Sequence, residues 1–266
     1  MPIHCPISFP RLAEDEMRAI DYPVMGHAFA THQQLGRLCD ESVYQRELLP
    51  RLQTAGLEGA IEIPITLTHR QFSIRVALDM VVQQKVIYEL KTAVALSSAH
   101  EAQLLGYLFM TNSTRGKLIN FRRQSVESRF VNAPLDDAER RRFTLDVSKY
   151  SGDDSLATLV RELIEDWGTG LDASLYRRAI LSCLGSGAEP YQMLPMKSGE
   201  HSIGNQRFHL LNGETALGVT TYSDPNSANL HDFQKLIAAS PLRCMHWVNI
   251  THHQVTLTTI RNDRKI

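Results

Sequence analysis

Residues 76–91 read VALDMVVQQKVIYELK, two apolar runs joined by the polar link Gln83-Gln84-Lys85. Runs rich in Val and Ile on both sides of a short polar link are typical of a β-hairpin. A three-residue loop would place Asp79 directly opposite Glu89, and it would place Ala77 opposite Lys91. A two-residue loop would send Asp79 and Glu89 to opposite faces of the sheet. The turn therefore decides whether these charged side chains share one patch.

Such a patch has two chemical interpretations. Neighbouring carboxylates repel each other unless a cation lies between them, and oxygen ligands suit Mg²⁺ or Mn²⁺ better than zinc. Lys91 is two residues from Glu89 and shares its face of the strand, where it could orient a water and stabilise charge on a phosphate. The alternative is an ion pair of Lys91 with the two acids that only stabilises the sheet. The hairpin alone leaves both open.

The surrounding pattern predicts a mixed α/β architecture. Helical apolar spacing extends from Glu14 to about Leu38 and from Glu41 to Ala55. Further elements are predicted as strands at 60–68, 72–82 and 86–91, a helix at 98–110, and strands at 116–121 and 128–131. This order favours an α/β or α+β fold with a mixed sheet flanked by helices.

Two of these helices carry polar residues that could face the hairpin. His100, Gln103 and Tyr107 form one polar line along the helix at 98–110. Glu41 lies three residues before Tyr44, so both point the same way. Glu41 could be a third acid of a metal site, or it could belong to the solvated first turn of its helix.

Taken in order, these motifs resemble the GxxExxY protein family of the PD-(D/E)xK nuclease superfamily. The resemblance covers about residues 14–135 and rests on five parts of the sequence. They are the segment 36–44, which contains Glu41, then Asp79, then Glu89-Leu90-Lys91, and then the segments 100–108 and 116–121. Two departures are present. Arg37, Leu38 and Cys39 replace an expected Gly-aromatic segment, and Leu78 stands at the Pro of the signature.

The resemblance implies a restriction-endonuclease-like core that hydrolyses nucleic-acid phosphodiester bonds with Mg²⁺ or Mn²⁺. Asp79 and Glu89 would be metal ligands, Lys91 the catalytic lysine and Glu41 the auxiliary acid and further ligand. Gln103 would complete the catalytic set. Supporting positions would be Tyr44, His100 and Tyr107.

The second half of the chain, 150–266, resembles the first without its chemistry. A seam at 132–152 contains the run Arg140-Arg141-Arg142, which is typical of a solvated helix face and less often of a phosphate contact. The helix–strand pattern then starts again with a shift of roughly 130 residues. On that overlay, Ala173, His209, Val219 and Thr221 replace Glu41, Asp79, Glu89 and Lys91. We expect a degenerate second copy that forms a pseudo-dimer with the first, with two unrelated domains as the alternative.

The overall charge opposes a nucleic-acid partner. The 266 residues carry a formal net charge of −1, whereas nucleic-acid-binding domains are typically basic. Charge could still be segregated, because Lys117, Arg122 and Arg123 cluster near the end of the first half. Near-neutrality favours a second hypothesis, a catalytically idle nuclease fold that acts as a nucleic-acid-binding or protein-interaction scaffold.

The remaining expectations concern location and assembly. Four scattered cysteines without a CxxC pair, no signal-peptide pattern and no apolar run of the roughly 20 residues that span a bilayer predict a cytoplasmic protein without membrane contact. The expected partner is nucleic acid, with DNA favoured over RNA. The expected state is a homodimer or a monomer with an intramolecular pseudo-dimer.

Overall fold

The computed structural model describes residues 2–185 and 191–263. The chain divides into two compact units. The first comprises Met1–Leu67 and Ile74–Asp137, and the second comprises Thr68–Ser73 and Ala138–Ile266. The tip of one hairpin, Thr68–Ser73, therefore groups with the second unit, which the sequence pattern does not predict. The predicted limits of 14–135 and 150–266 stay predictions.

The first unit contains a six-stranded mixed sheet with three helices. Its elements are β1 (Ile3–His4), α1 (Glu14–Leu35), α2 (Glu41–Thr54), β2 (Gly59–His69), β3 (Phe72–Val82), β4 (Val86–Lys91), α3 (Ser98–Thr111), β5 (Arg115–Asn120) and β6 (Glu127–Asn132). The sheet order is β1-β2-β3-β4-β5-β6. Strands β4 and β5 are parallel, while β3 pairs with β4 and β6 with β5 in antiparallel fashion. The predicted mixed α/β class with flanking helices is confirmed.

The core of this unit lies beneath its central parallel pair. All six residues of β4 are buried, as expected for a strand covered on both faces. Helix α1 buries Met17, Val24 and Ala28 at helical spacing, and α2 adds Leu48 and Leu52. Packing of these two helices fixes where α2 begins, and therefore where Glu41 lies.

From Asp137 onward the elements build the second unit. They are α4 (Asp137–Arg140), β7 (Thr144–Lys149), α5 (Asp154–Trp167), α6 (Ala173–Cys183), β8 (Gln192–Ser198), β9 (His201–Phe208), β10 (Leu210–Asn212), β11 (Thr215–Thr220), α7 (Ser227–Ala238), β12 (Cys244–Ile250) and β13 (Gln254–Arg261). Five strands form a sheet in the order β10-β11-β12-β13-β7, and β8 and β9 form a separate hairpin. Residues 207–212 do not form one strand, since β9 ends at Phe208 and β10 begins at Leu210. None of the helices in the described parts of the chain is long and apolar enough to cross a membrane.

Strands β10–β13 of the second sheet share the directions of β3–β6 in the first. Strand β11 is parallel to β12 and antiparallel to β10, as β4 is to β5 and β3. The pair Arg115 and Asn132 corresponds to Cys244 and Arg261, each 129 residues further along. This shift corrects the predicted strand overlay by one residue. Strand pairing places Gly218 and Thr220, rather than Val219 and Thr221, at the positions of Glu89 and Lys91.

The arginine run at 140–142 has a structural role that the sequence does not indicate. Arg140 is fully buried, and its guanidinium donates to the carbonyl oxygens of Trp167 and Thr169, both at 2.7 Å. Arg141 donates to the Asp166 carbonyl at 2.7 Å. These carbonyls lie at the C-terminal end of α5, where cations satisfy unpaired acceptors and the helix dipole. A solvated helix face is therefore wrong for Arg140, and so is a phosphate contact.

We expect Arg140→Ala to destabilise the second unit by about 3 kcal/mol, because it leaves buried carbonyl groups without donors and opens a cavity. Urea unfolding of the full chain, followed by tryptophan fluorescence, measures the change. Arg142 is exposed, so Arg142→Ala is the matched control, with an expected change within about 0.5 kcal/mol. Equal effects of the two substitutions would contradict the helix-capping role.

Candidate active site in the first unit

The β3–β4 hairpin has the three-residue loop that the candidate site requires. Val82 pairs with Val86 and Met80 with Tyr88, and the next residues along the two strands are Asp79 and Glu89. Gln83 and Gln84 have φ values of 57° and 53°, so both adopt the left-handed conformation that is common in tight turns. The predicted turn is confirmed, and the two carboxylates lie on adjacent strands.

Glu89 is the most buried acid of this group. It is 1% exposed, and its Oε1 accepts a hydrogen bond from Lys91 Nζ at 2.7 Å. Its Oε2 is buried and has no hydrogen-bond partner. Across the strand, Asp79 Oδ2 accepts from the Leu90 backbone N–H at 2.8 Å. An unpartnered carboxylate oxygen in the core is costly unless something else binds it.

The pKa values follow from this crowding. Burial, and then the neighbouring Asp79 carboxylate, raise the pKa of Glu89 to about 8. Burial also raises the pKa of Asp79, although the Leu90 N–H and Lys91 oppose the rise. Burial alone would lower the pKa of Lys91, but attraction to Glu89 and the other acids raises it. The acids therefore disfavour a second negative charge, while Lys91 keeps its proton.

Glu41 connects the first turn of α2 to the end of β4. Its Oε1 accepts from the Thr92 backbone N–H at 3.0 Å, and its Oε2 lies 3.9 Å from Lys91 Nζ. Its side chain is half-exposed. The structure thus brings Glu41 to the same lysine that pairs with Glu89, as the sequence predicts.

The three predicted residues of helix α3 differ in how they relate to the candidate site. The pKa of Tyr107 is raised by burial and by the Glu89 carboxylate, which places this ring near the acids. Gln103 is exposed, and its Nε2 donates to the Tyr107 hydroxyl at 3.2 Å. His100 differs, because its Nδ1 accepts from the Ser97 backbone N–H at 3.1 Å and completes the N-terminal cap of the helix.

Tyr44 supports the site from within the core. Its ring is fully buried and stacks on Phe121 at a centroid distance of 4.4 Å. Its hydroxyl donates to the Gly36 carbonyl at 2.7 Å. Gly36 ends α1 with a φ of 70°, so Tyr44 fixes the turn between the two helices. The prediction that Tyr44 points the same way as Glu41 stays a prediction.

Three basic residues, Lys117, Arg122 and Arg123, are predicted to contact nucleic acid. Lys117 cannot do so, because its side chain is buried and paired. Its side chain is 7% exposed, and Nζ pairs with Asp21 Oδ2 at 2.5 Å and lies 4.3 Å from the Phe130 ring centroid. The sequence could not show this, because Asp21 is 96 residues away. Arg122 and Arg123, in contrast, line an open groove together with Arg37.

No curated protein and no solved structure matches the chain. Residues 18–131 match the family model of the PD-(D/E)XK nuclease superfamily. The match spans the helices and strands that carry Glu41, Asp79, Glu89 and Lys91, and it ends before the second unit.

The first unit also contains polar residues near the candidate site that the sequence analysis does not identify. Gln45 is buried, and its Nε2 donates to the Asp79 carbonyl at 2.5 Å and to Glu62 Oε1 at 3.0 Å. Its spacing of four from Glu41 on one helix face was an available signal. Glu62 has no such spacing in the sequence. It lies in β2, where its backbone φ is 55°. The acids near Asp79 therefore include Glu41, Glu62 and Glu89.

The donor set suits a divalent cation, although it is not preassembled. Within the described residues, no group of three or more His, Cys, Asp or Glu side chains is arranged to hold a metal ion. The unpartnered Glu89 Oε2 next to Asp79 is nevertheless the type of oxygen that Mg²⁺ or Mn²⁺ binds. Such an ion would relieve the repulsion that raises the Glu89 pKa, with Glu41 as a further ligand.

Proposed function

We propose that the first unit is a metal-dependent nuclease that hydrolyses nucleic-acid phosphodiester bonds. One observation carries the proposal. A buried carboxylate oxygen of Glu89 lacks a partner, the other oxygen pairs with Lys91, and the Asp79 carboxylate lies close enough to raise the pKa of Glu89. Buried polar atoms are usually hydrogen-bonded, and a bound cation would satisfy the free oxygen of Glu89. The match of 18–131 to a nuclease superfamily supports the same chemistry.

We assign roles from this geometry. Asp79 and Glu89, with Glu41, hold Mg²⁺ or Mn²⁺. Bound there, the ion supplies Lewis-acid stabilisation of the scissile phosphate. Lys91 orients the attacking water and stabilises the charge that develops on the phosphate oxygens. Gln103 and Tyr107 bound the site from α3. Membership in the GxxExxY family, DNA as the substrate and a cytoplasmic location are parts of the same proposal.

We further propose that the second unit is a duplicated copy without catalytic residues. The constant shift of 129 residues in strand pairing supports this relationship. Equivalent buried asparagines also make equivalent contacts. Asn120 exchanges two hydrogen bonds with the backbone of Ala93, and Asn249 does so with Tyr222. Because Gly218 and Thr220 replace Glu89 and Lys91, this copy lacks the central acid and the lysine of the candidate site. Pairing of the copies as a pseudo-dimer stays a prediction.

The alternative is a catalytically idle scaffold, and one observation favours it. Lys91 Nζ and Glu89 Oε1 are already paired at 2.7 Å, as they would be in an ion pair that serves only the sheet. The net charge of −1 also agrees with weak nucleic-acid binding.

Incubation of the full chain with labelled single- and double-stranded DNA and RNA distinguishes these functions. We expect cleavage with Mg²⁺ or Mn²⁺ and none with EDTA, and we expect calorimetry to detect Mn²⁺ binding. Asp79→Ala should abolish cleavage and weaken Mn²⁺ binding, whereas Asp146→Ala, at an exposed acid of the second unit, should change neither. Absence of Mn²⁺ binding to the wild-type chain would favour the scaffold.

A further inference from the structure

We propose that an open groove in the first unit binds a single-stranded segment of the nucleic acid beside the candidate active site. The groove has a volume of about 710 Å³, and its lining includes Arg37, Leu38, Val94 and the segment 122–127. The volume is in the range of pockets that take a small-molecule-sized ligand, such as one or two nucleotides. This inference rests on the proposed function, because it names the form of its substrate.

The groove adjoins the candidate site through three loops. Leu38 lies three residues before Glu41, and Val94 lies three residues after Lys91. The third loop follows Asn120, whose Oδ1 accepts from the backbone N–H groups of Ala93 and Arg122 at 3.1 and 3.2 Å. The residues that line the groove therefore flank Glu41 and Lys91 in the chain.

The charge of the groove fits a phosphate backbone. Arg37 and Arg123 are exposed. Hydrogen bonds to their carbonyl groups hold the backbone at both residues. Arg122 donates to the Arg37 carbonyl at 3.4 Å, and His32 Nε2 donates to the Arg123 carbonyl at 3.0 Å. The acid of the lining, Glu127, accepts from Asn120 Nδ2 at 3.0 Å. Three arginines against one tethered acid supply the local positive charge that the chain as a whole lacks.

The apolar part of the lining favours a single strand over a duplex. Leu38 is 77% exposed and Val94 is 85% exposed. Isolated exposed aliphatic side chains are common, but here two of them lie in one groove with three arginines. In a duplex, the flat faces of the bases are stacked on each other and are unavailable to such side chains. In a single strand the base faces are free, and apolar contact with them combines with phosphate binding.

Fluorescence anisotropy with the full wild-type chain in EDTA tests this inference without requiring catalysis. The probes are labelled oligothymidylate, oligouridylate and a mixed-sequence DNA duplex of equal length. We expect at least one single strand to bind about tenfold more tightly than the duplex, and the better of the two identifies DNA or RNA. Equal or tighter binding of the duplex, or binding of none of the probes at low salt, would overturn the inference.

Variants locate the binding surface. Arg37→Gln and Arg123→Gln should each weaken single-strand binding by about three- to tenfold and reduce the slope of log affinity against log salt by about 0.7. Val94→Asp should weaken it at least as much. Arg243→Gln is the matched control, because Arg243 is an exposed arginine of the second unit. Groove variants that behave like this control would overturn the inference. Groove-dependent binding without cleavage in Mg²⁺ would contradict only the proposed nuclease function.

Discussion

Replacement of Lys91 by glutamine is expected to slow Mg²⁺- or Mn²⁺-dependent cleavage by about 100- to 1,000-fold, the usual cost of removing one preorganised electrostatic group from a transition state. Glutamine keeps a hydrogen-bond donor toward Glu89 but loses the positive charge. The Lys91 ammonium is buried, paired with Glu89 at 2.7 Å and 3.9 Å from Glu41. Because its pKa is raised by these acids, the wild-type group is charged at neutral pH.

Lys85 provides the control for this substitution. It lies in the turn of the same hairpin, so Lys85→Gln removes an equal charge close by in the chain without touching the acids. Single-turnover cleavage rates should drop only for Lys91→Gln, and Mn²⁺ binding by calorimetry should survive in both variants. Retained cleavage in Lys91→Gln would remove the catalytic assignment. Loss of Mn²⁺ binding in that variant would show that Lys91 serves to position the acids.

The sequence predicts local elements of the first unit well. The bounds of β3 and β4 agree with the prediction, and so does the loop between them. Apolar runs and a polar link determine these features within a few residues of chain. Short or exposed strands are missed, such as β1, β7 and β9, because an exposed strand carries no alternating apolar pattern. The assignment of Thr68–Ser73 to the second unit depends on tertiary packing and has no local signal.

Long-range polar partners limit what the sequence predicts about the site. Asp79 opposite Glu89 follows from a turn, whereas the pairing of Lys117 with Asp21 and the capping of α5 by Arg140 depend on residues far away in sequence. Burial converts these basic residues from apparent phosphate ligands into core groups. Arg37, Arg122 and Arg123 instead line an open groove. The net charge of −1 is therefore an average that includes one locally basic surface.

The second large effect concerns stability. At about pH 8 without metal, Glu89→Gln is expected to stabilise the protein by about 2 kcal/mol, because the buried carboxylate repelled by Asp79 becomes a neutral amide. In the fold, the pKa of Glu89 rises from 4.5 to about 8. An acid whose pKa is raised by folding contributes stability that is complete below its unfolded pKa and is lost as the pH rises through its folded pKa. The variant lacks this titration, so its advantage should shrink toward about pH 5.

With divalent metal bound, we expect the wild type to be more stable than Glu89→Gln. Saturating Mn²⁺ stabilises only a native state that binds it, so the wild type should gain thermal stability while Glu89→Gln should not, and the variant should lose cleavage. Thermal unfolding at about pH 5 and pH 8, with and without Mn²⁺, measures both effects. Glu58→Gln is the control, since Glu58 is exposed in the same unit, and its stability should stay within about 0.5 kcal/mol of wild type. A wild type that is more stable than Glu89→Gln at both pH values without metal would mean that the Lys91–Glu89 ion pair stabilises the fold. The buried acid would then need no cation, and the scaffold function would gain its strongest support.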